Sequence, residues 1–240
     1  LCGIRTDYTL EKRDVENADD VRRYAGEVRS MLGLGHDGIS NVIEVFEDNG
    51  IKIIEISENK SFGGLSGYAN DNIPVIVVNR NLPSEEKRFT LLHELGHLII
   101  GLPAGYDVKE IERLCNVFAS EMLVPSSVLK GRLGNTRHDI SLAELCDIQK
   151  QYGASIDTIM LSLKELGVIT GRRYEGYLKK KKLFPDFNAI VEKSLFISET
   201  SGRFVRMVYR AVADEIISLS KAASLLNTSV DRVRSQLQLV

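Results

Sequence analysis

The most constraining feature of this sequence is the run FTLLHELGHLIIG at residues 89–101, in which two histidines stand four residues apart. Residues four apart share one face of a helix, with about 5–6 Å between their Cβ atoms. The imidazoles of His93 and His97 can therefore converge on one metal ion. Glu94 lies one position around the helix, where its carboxylate can act as the base for a water molecule on the metal. The spacing thus predicts a helix that carries a metal site.

A third ligand is expected from the helix that follows. Position 103 is proline, which excludes the metzincin arrangement, because that arrangement needs histidine there. If the two helices pack antiparallel, His97 and Glu112 both lie roughly 6 Å from the hairpin end at 1.5 Å of rise per residue. They would then meet at one level. Glu110 faces about 200° away from Glu112 by helical spacing, so only one of the two can point inward.

These motifs together resemble the ImmA/IrrE family of bacterial metallopeptidases. The resemblance rests on the histidine motif, on the pattern Glu-x-x-Cys-Asn-x-Phe-Ala at residues 112–119 and on Leu-Val-Pro at residues 123–125. It covers about residues 20–170 of the chain. The departure from the family pattern is Cys115, where the family usually has alanine. A small apolar residue in the helix core is the simplest interpretation of that cysteine.

The resemblance implies a gluzincin-like site in which His93, His97 and Glu112 bind Zn²⁺ and Glu94 is the catalytic acid and base. Two neutral imidazoles and one carboxylate leave a fourth position for water, whose pKa falls towards about 7. Glu94 can take the proton from that water and pass it to the leaving amine. A donor that stabilises the oxyanion is also expected, and residue type alone leaves three candidates open. They are Tyr68, Arg88 and His138.

Apolar periodicity predicts an α+β fold, in which a small sheet packs on helices. The predicted strands are Ile51–Ile56 and Pro74–Asn79, and the segment LSGYAN at residues 65–70 is either a third strand or a loop. Strand Pro74–Asn79 is a candidate sheet edge that could pair with an extended peptide substrate. Ser84 is predicted to cap the helix that carries the histidines, and this helix should run to about Gly101.

The chain is expected to have three parts. Residues 1–126 would form a zincin-like peptidase domain, residues 127–175 a helix-turn-helix-like segment, and residues 176–240 a C-terminal helical region. Residues 170–184 carry six basic residues and one acidic residue, with two glycines, and are predicted to be a loop or linker. Two helix pairs, with turns near Gly153 and Asn227, resemble helix-turn-helix units. Either unit could contact DNA or protein, and the sequence leaves both alternatives open.

Composition limits the classes of function. A formal net charge of -2 excludes the strongly basic balance that would make nucleic acid the default partner of the whole chain. The three cysteines, Cys2, Cys115 and Cys146, are too few for a disulfide framework and are interpreted as thiols. The sequence has no apolar run long enough to span a bilayer and no apolar segment of a secretory signal near residue 1. A cytoplasmic protein without membrane contact is expected.

The leading hypothesis is a zinc endopeptidase. Members of the resembled family relieve repression by cutting a helix-turn-helix repressor, and such a protein is the expected substrate. One alternative is a regulatory module in which the metal is structural and the helical C-terminal half, including Lys179–Lys182, binds DNA or a partner. The other alternative is a zinc hydrolase that acts on a small amide.

Overall fold

The protein, described from a computed structural model over residues 8–59, 61–70, 72–101 and 105–237, has the predicted α+β fold. A three-stranded sheet packs on one helix, and the second half of the chain is helical. The strands are β1 (Arg13–Asp14), β2 (Lys52–Ile56), β3 (Gly64–Ala69), β4 (Ile73–Asn79) and β5 (Ile100–Gly101). The helices are α1 (Ala18–Met31), α2 (Val42–Asp48), α3 (Ser84–Ile99), α4 (Val108–Leu123), α5 (Ser126–Leu133), α6 (Leu142–Tyr152), α7 (Ile156–Glu165), α8 (Gly171–Leu183), α9 (Pro185–Val191), α10 (Arg203–Ala213), α11 (Leu219–Leu225) and α12 (Val230–Gln236).

The three-stranded sheet is mixed, with the strand order β2–β4–β3. Ile76 of β4 lies opposite Ile53 of the parallel strand β2 and opposite Ser66 of the antiparallel strand β3. Strand β4 is therefore central, and the prediction that it offers an edge to a substrate is wrong. Ile76 and Val78 on one face of β4 are buried and Val75 and Val77 on the other are partly buried. The run of valine and isoleucine suits such a position, because strands covered on both faces favour continuous apolar sequence. The segment that could have been a strand or a loop forms the edge strand β3.

Helix α3 carries the histidine motif. Ser84 is its first residue rather than its cap: Pro83 occupies the cap position, and the Pro83 carbonyl accepts the amide of Lys87 at 2.8 Å. Proline has a fixed φ that suits the entry to a helix, which explains why the serine hydroxyl is not needed there. The helix ends before the predicted Gly101, because Ile100 and Gly101 pair in parallel with strand β1.

Helices α3 and α4 pack antiparallel. His93, in the middle of α3, contacts Asn116 in the middle of α4, whereas His97 lies beside Cys115, one residue nearer the start of α4. The two backbones approach closely at Gly96, where an added Cβ would lie 3.4 Å from the Cα of Cys115. The prediction of Glu112 as the third ligand required this antiparallel packing of α3 and α4.

The basic segment after residue 170 is helix α8, so the prediction of a loop or linker there is wrong. The hydroxyl of Thr170 accepts the amide of Arg173 at 3.2 Å and begins the helix. Lysine and arginine are good helix formers, and their propensity outweighs the two glycines. Tyr177 is buried and anchors α8 to the body of the protein.

Both predicted helix pairs are present with short turns. Helices α6 and α7 are joined through Gly153, whose φ of 63° lies in the left-handed region. Helices α11 and α12 are joined through Asn227, whose φ is 49°. These conformations explain the residues at the turns, because glycine and asparagine tolerate positive φ better than other residues.

The described residues divide into two compact units, 8–199 and 200–237. The first contains the sheet and the histidine helix around one apolar core, and the second has a small core of its own around Val208, Ala222 and Val233. The predicted boundaries at 126 and 175 both lie inside the first unit, and the three-part division stays a prediction. In the part of the chain that the structure describes, no helix has the length and apolar character to cross a membrane.

Candidate metal centre

His93 and His97 project from adjacent turns of α3 toward α4. Their ring centroids are 4.7 Å apart, and the two Nε2 atoms are separated by 3.0 Å. Leu91, Leu92 and Leu95 on the other faces of the helix are fully buried in the core, which fixes the direction of the histidines. Both imidazoles thus point one nitrogen at the same place, as the four-residue spacing predicted.

Glu112 of α4 completes the cluster. Its carboxylate oxygens lie 3.1 Å from Nε2 of His93 and 3.4 Å from Nε2 of His97. Ligands about 2.05 Å from zinc in a tetrahedron are about 3.3 Å from each other. The two Nε2 atoms are 3.0 Å apart, Oε2 of Glu112 is 3.1 Å from that of His93, and Oε1 is 3.4 Å from that of His97. These separations are close to that edge, so the three side chains can share one metal ion. Among the described residues, this trio is the group of His, Cys, Asp and Glu side chains with metal-site spacing.

Each histidine also has a contact on its other ring nitrogen. Asn116 Oδ1 lies 2.8 Å from Nδ1 of His93 and can only accept, so Nδ1 carries the proton and Nε2 keeps its lone pair toward the cluster. Cys115 Sγ lies 3.6 Å from Nδ1 of His97. The residue that departs from the family pattern therefore contacts a histidine of the cluster directly.

Burial sets the charge states of these neighbours. It lowers the pKa of His93, and the adjacent His97 lowers it further, which favours the neutral imidazole that a metal needs. Burial also raises the pKa of the Cys115 thiol to about 12. Cys115 Sγ lies beside Nδ1 of His97, the ring nitrogen opposite the one that faces Glu112, and Cys115 is not part of the His93, His97 and Glu112 group.

Glu94 lies next to the cluster and is held by the edge strand. Ser66 Oγ of β3 donates to Glu94 Oε2 at 2.7 Å, and the glutamate is 8% exposed. Alternate residues of β3 follow α3 at four-residue steps: Gly64 faces Thr90, Ser66 faces Glu94, and the hydroxyl of Tyr68 lies 3.3 Å from the carbonyl of Leu98. Sequence reasoning did not single out Ser66. The alternation of side chains along β3 puts Ser66 on the same face as Gly64 and Tyr68, and this was the only signal in the sequence. That Ser66 contacts Glu94 follows only from the packing of β3 on α3.

The three candidates for the oxyanion donor differ in position. Tyr68 is about half exposed beside α3. Arg88 is fully buried and forms an ion pair with Glu199, so its guanidinium is committed elsewhere. His138 is exposed in the connection between α5 and α6, outside the helix pair that carries the cluster. Of the three, Tyr68 alone combines exposure with a position beside α3, where its hydroxyl donates to the carbonyl of Leu98.

An antiparallel helix pair that presents two histidines and a glutamate beside a small mixed sheet defines the class of helix-borne metal sites found in metallopeptidases. Residues 46–164 match the family model Peptidase_M78, described as the IrrE N-terminal-like domain. This part of the chain belongs to the ImmA/IrrE metallopeptidase family, as the two sequence motifs indicated.

Comparisons with curated proteins and with solved structures give no further information on function. No curated protein matches the chain significantly. Among solved structures, a Mycobacterium tuberculosis transcriptional regulator is similar, with 14% identity, a TM-score of 0.44, and coverage of 61% of this chain and 46% of the regulator. The chain thus spans about half the length of that regulator, and the similarity carries no argument about function.

Proposed function

We propose that the protein is a zinc-dependent endopeptidase, with His93, His97 and Glu112 as metal ligands and Glu94 as the general base. The observation that carries the proposal is the spacing of the three donors, which matches the edges of one tetrahedral zinc site. Membership in a metallopeptidase family supports the reaction class.

The residues around the cluster have distinct parts in this mechanism. Zinc bound at such a site would act as a Lewis acid on the substrate carbonyl and would lower the pKa of a bound water. Glu94 takes the proton from the attacking water and delivers it to the departing amine. Ser66 donates to one carboxylate oxygen of Glu94 and leaves the other free to face the water. Asn116 holds His93 in the tautomer that can bind a metal.

The edge strand β3 gives a peptide substrate a place to bind. One side of β3 pairs with β4, and the strand stands at the end of the sheet, so its other side can add an extended peptide as a further strand. Such a peptide would run past Ser66 and hence past Glu94 and the cluster. Tyr68, half exposed on the same strand, is the favoured oxyanion donor, and its hydroxyl would exchange the 3.3 Å hydrogen bond to the carbonyl of Leu98 for one to the oxyanion.

We further propose that the physiological substrate is a helix-turn-helix repressor, on the resemblance to the family. In this proposal residues 1–126 are the peptidase part, and the helical segments 127–175 and 176–240 serve recognition or regulation. Family membership supports a protein substrate, because a peptidase acts on proteins or peptides.

The test combines metal analysis with cleavage. Wild-type protein should bind one zinc per chain and cut a candidate repressor at a single site seen by mass spectrometry. Glu94→Gln should retain zinc and lose cleavage, whereas His97→Ala should lose zinc. Unchanged cleavage by Glu94→Gln, or no zinc in the wild type at micromolar free metal, would exclude the peptidase mechanism.

A further inference from the structure

The structure separates the two helix pairs that resemble helix-turn-helix units. In the first pair, α7 is built into the main core, where Ile159 is 1% and Leu163 0% exposed. Asp157, on another side of α7, accepts the hydroxyl of Tyr177 and the ammonium of Lys181, both at 2.6 Å, so α8 covers that side. A recognition helix needs an open face to enter a DNA groove, and α7 has little surface left for that purpose.

The second pair belongs to the small unit 200–237, which has a core of its own. A turn of four residues, 226–229, joins α11 to α12, and this length is typical of helix-turn-helix units. The hydroxyl of Ser229 caps α12 by accepting a backbone amide at 3.2 Å. Val233 is the one residue of α12 that is buried, and the other residues of this helix are exposed or partly exposed. Helix α12 is therefore held along one side.

The exposed face of α12 has polar residues at its centre and an arginine on each side. Helical spacing of about 100° per residue places Asp231 and Ser235 about 40° apart around the helix. Arg234 lies about 60° before Asp231, and Arg232 lies about 60° beyond Ser235. All four side chains are exposed. Arg234 and Asp231 are 3.8 Å apart in a largely solvated pair, and such a contact is weak enough to yield to a ligand.

Charge complementarity favours duplex DNA as the occupant of this face. Residues 200–237 include six basic and three acidic residues, whereas residues 8–199 include 24 basic and 29 acidic residues. The second unit thus has an excess of positive charge that a polyanion can neutralise, and the first unit has none. The DNA major groove is about 12 Å wide and admits one helix, with phosphates along both borders and base edges on its floor. The pattern of α12 matches that arrangement.

We infer that the unit 200–237 binds duplex DNA with α12 in the major groove, and that the first helix pair does not. Arg232 and Arg234 contact phosphates on the two borders of the groove. Asp231 and Ser235 contact base edges, because a carboxylate accepts from the amino group of cytosine and a hydroxyl can bond to several bases. The inference is independent of the peptidase mechanism and gives the chain a DNA-binding activity besides the proposed cleavage.

The first experiment measures the affinity of full-length protein for a fluorescent duplex of about 30 base pairs and mixed sequence, by anisotropy between about 50 and 200 mM salt. Arg232→Gln/Arg234→Gln should weaken binding at least about tenfold at low salt. It should also lower the slope of log affinity against log salt by about 2, because each phosphate contact contributes about one unit. Lys179→Gln/Lys182→Gln removes two exposed charges of α8 and is the matched control, which should bind like wild type.

The second experiment tests whether α12 reads base sequence. Selection from random duplexes by the full-length wild type should enrich one sequence pattern. Asp231→Ala/Ser235→Ala should lose or change this preference and keep its affinity for the mixed duplex, since base contacts specify and phosphate contacts do not. Equal melting temperatures of wild type and all variants check the fold, because every substituted residue is exposed.

Four results would overturn the inference. They are no binding by wild type at about 100 μM protein and low salt, full binding by the arginine variant, loss of binding in the lysine control, and enrichment of no sequence pattern, which is polyanion contact alone. If wild type binds no DNA and the arginine variant loses binding to a candidate repressor, α12 contacts protein and the inference is wrong. None of these measurements involves cleavage, so failure of the proposed peptidase leaves each result interpretable.

Discussion

Ser66 is the residue whose side chain touches the proposed catalytic carboxylate. Its hydrogen bond of 2.7 Å to Glu94 fixes one carboxylate oxygen, and in the proposed mechanism the other oxygen faces the water. A contact of this kind orients a catalytic group without itself reacting. Such supporting contacts commonly change activity by 10–100-fold when they are removed.

Ser66→Ala should therefore lower kcat by about tenfold and leave KM nearly unchanged, because the hydroxyl orients the base and does not hold the substrate. Steady-state kinetics on a peptide that the wild type cuts would measure both constants, with zinc content and the melting temperature as checks on folding. Ser66→Thr keeps the hydroxyl and should recover most of the rate. A loss that Thr does not restore would assign Ser66 to packing alone.

Asn116 is the corresponding support for a ligand. Asn116→Ala removes the acceptor for the Nδ1 proton of His93 and should weaken zinc binding by about 10–100-fold. Competition with a chelating dye measures this affinity directly. Asn116→Asp keeps an acceptor at the same place and should bind zinc nearly as well as the wild type. Asn135→Ala, at an exposed position, is the control. Equal affinity in Asn116→Ala and wild type would contradict the supporting role.

The sequence predicted the residues of the cluster better than their surroundings. His93 and His97 share a helix, and Glu112 lies on the next helix, so helical spacing and one antiparallel contact were enough to bring them together. Ser66 reaches Glu94 from a strand that local periodicity does not connect to α3. Its placement depends on strand order and on the packing of the sheet against the helix, which the sequence pattern leaves undetermined.

At the scale of elements, the edge strand β3 needs a glycine where it crosses α3, the helix that carries the two histidines. A Cβ on Gly64 would lie 2.8 Å from Cγ2 of Thr90 and 2.9 Å from the carbonyl oxygen of Val77. One of these neighbours is backbone of the central strand and has little freedom to move. The close approach of β3 to α3 is what places Ser66 within reach of Glu94.

Gly64→Ala should destabilise the protein by about 1–3 kcal/mol, because overpacking forces the strand away from the helix. It should also lower the cleavage rate, since Ser66 moves with the strand. Gly67→Ala lies in the same strand with nothing within 4 Å of the added Cβ and should change the free energy of unfolding by less than about 0.5 kcal/mol. Urea unfolding of both variants decides the matter. Equal stabilities would show that β3 accommodates the methyl group without strain.

The elements that the sequence predicted wrongly have a common cause. The run of valine and isoleucine in β4 indicated a strand but did not determine the position of that strand in the sheet. In the structure β4 is the central strand. The segment with Gly171 and Gly176 suggested a linker, but the cap at Thr170 and the burial of Tyr177 make it helix α8. Local composition competes with tertiary contacts at such places, and the contacts prevail.

At the scale of the whole molecule, buried charges bind the end of the first unit to α3, the helix that carries the two histidines. Arg88 of α3 is fully buried, forms an ion pair with Glu199, and donates to the carbonyls of Ile39 and Tyr152 at 2.8 and 3.2 Å. Lys87 donates to the carbonyl of the same Glu199 at 2.5 Å. Burial lowers the pKa of Arg88 to about 10, which leaves it charged at neutral pH and in need of its partner.

The segment just before Glu199 makes further contacts of the same kind. Glu85, in the first turn of α3, accepts the Leu195 amide at 2.8 Å and the Ser194 hydroxyl at 2.5 Å. The guanidinium carbon of Arg88 lies over the ring of Phe196, 4.2 Å from the centroid of that ring. Residues 194–199 thus act as a strap across the start of the helix that carries the metal centre. The strap belongs to the unit 8–199 and not to the C-terminal unit.

This strap gives opposite expectations for two shortened chains. A chain that ends after residue 175, at the boundary predicted from sequence, leaves Arg88 and Glu85 buried without Glu199 and Leu195. Breaking one buried ion pair costs about 3–5 kcal/mol, so this chain should unfold or lose most of its stability. A chain that ends after residue 199 keeps every one of these contacts and should retain zinc binding and a cooperative urea transition. Glu199→Gln in the full chain isolates the ion pair and should be destabilised in the same direction. A stable, zinc-binding chain 1–175 would instead support the predicted three-part division and show that the strap is dispensable.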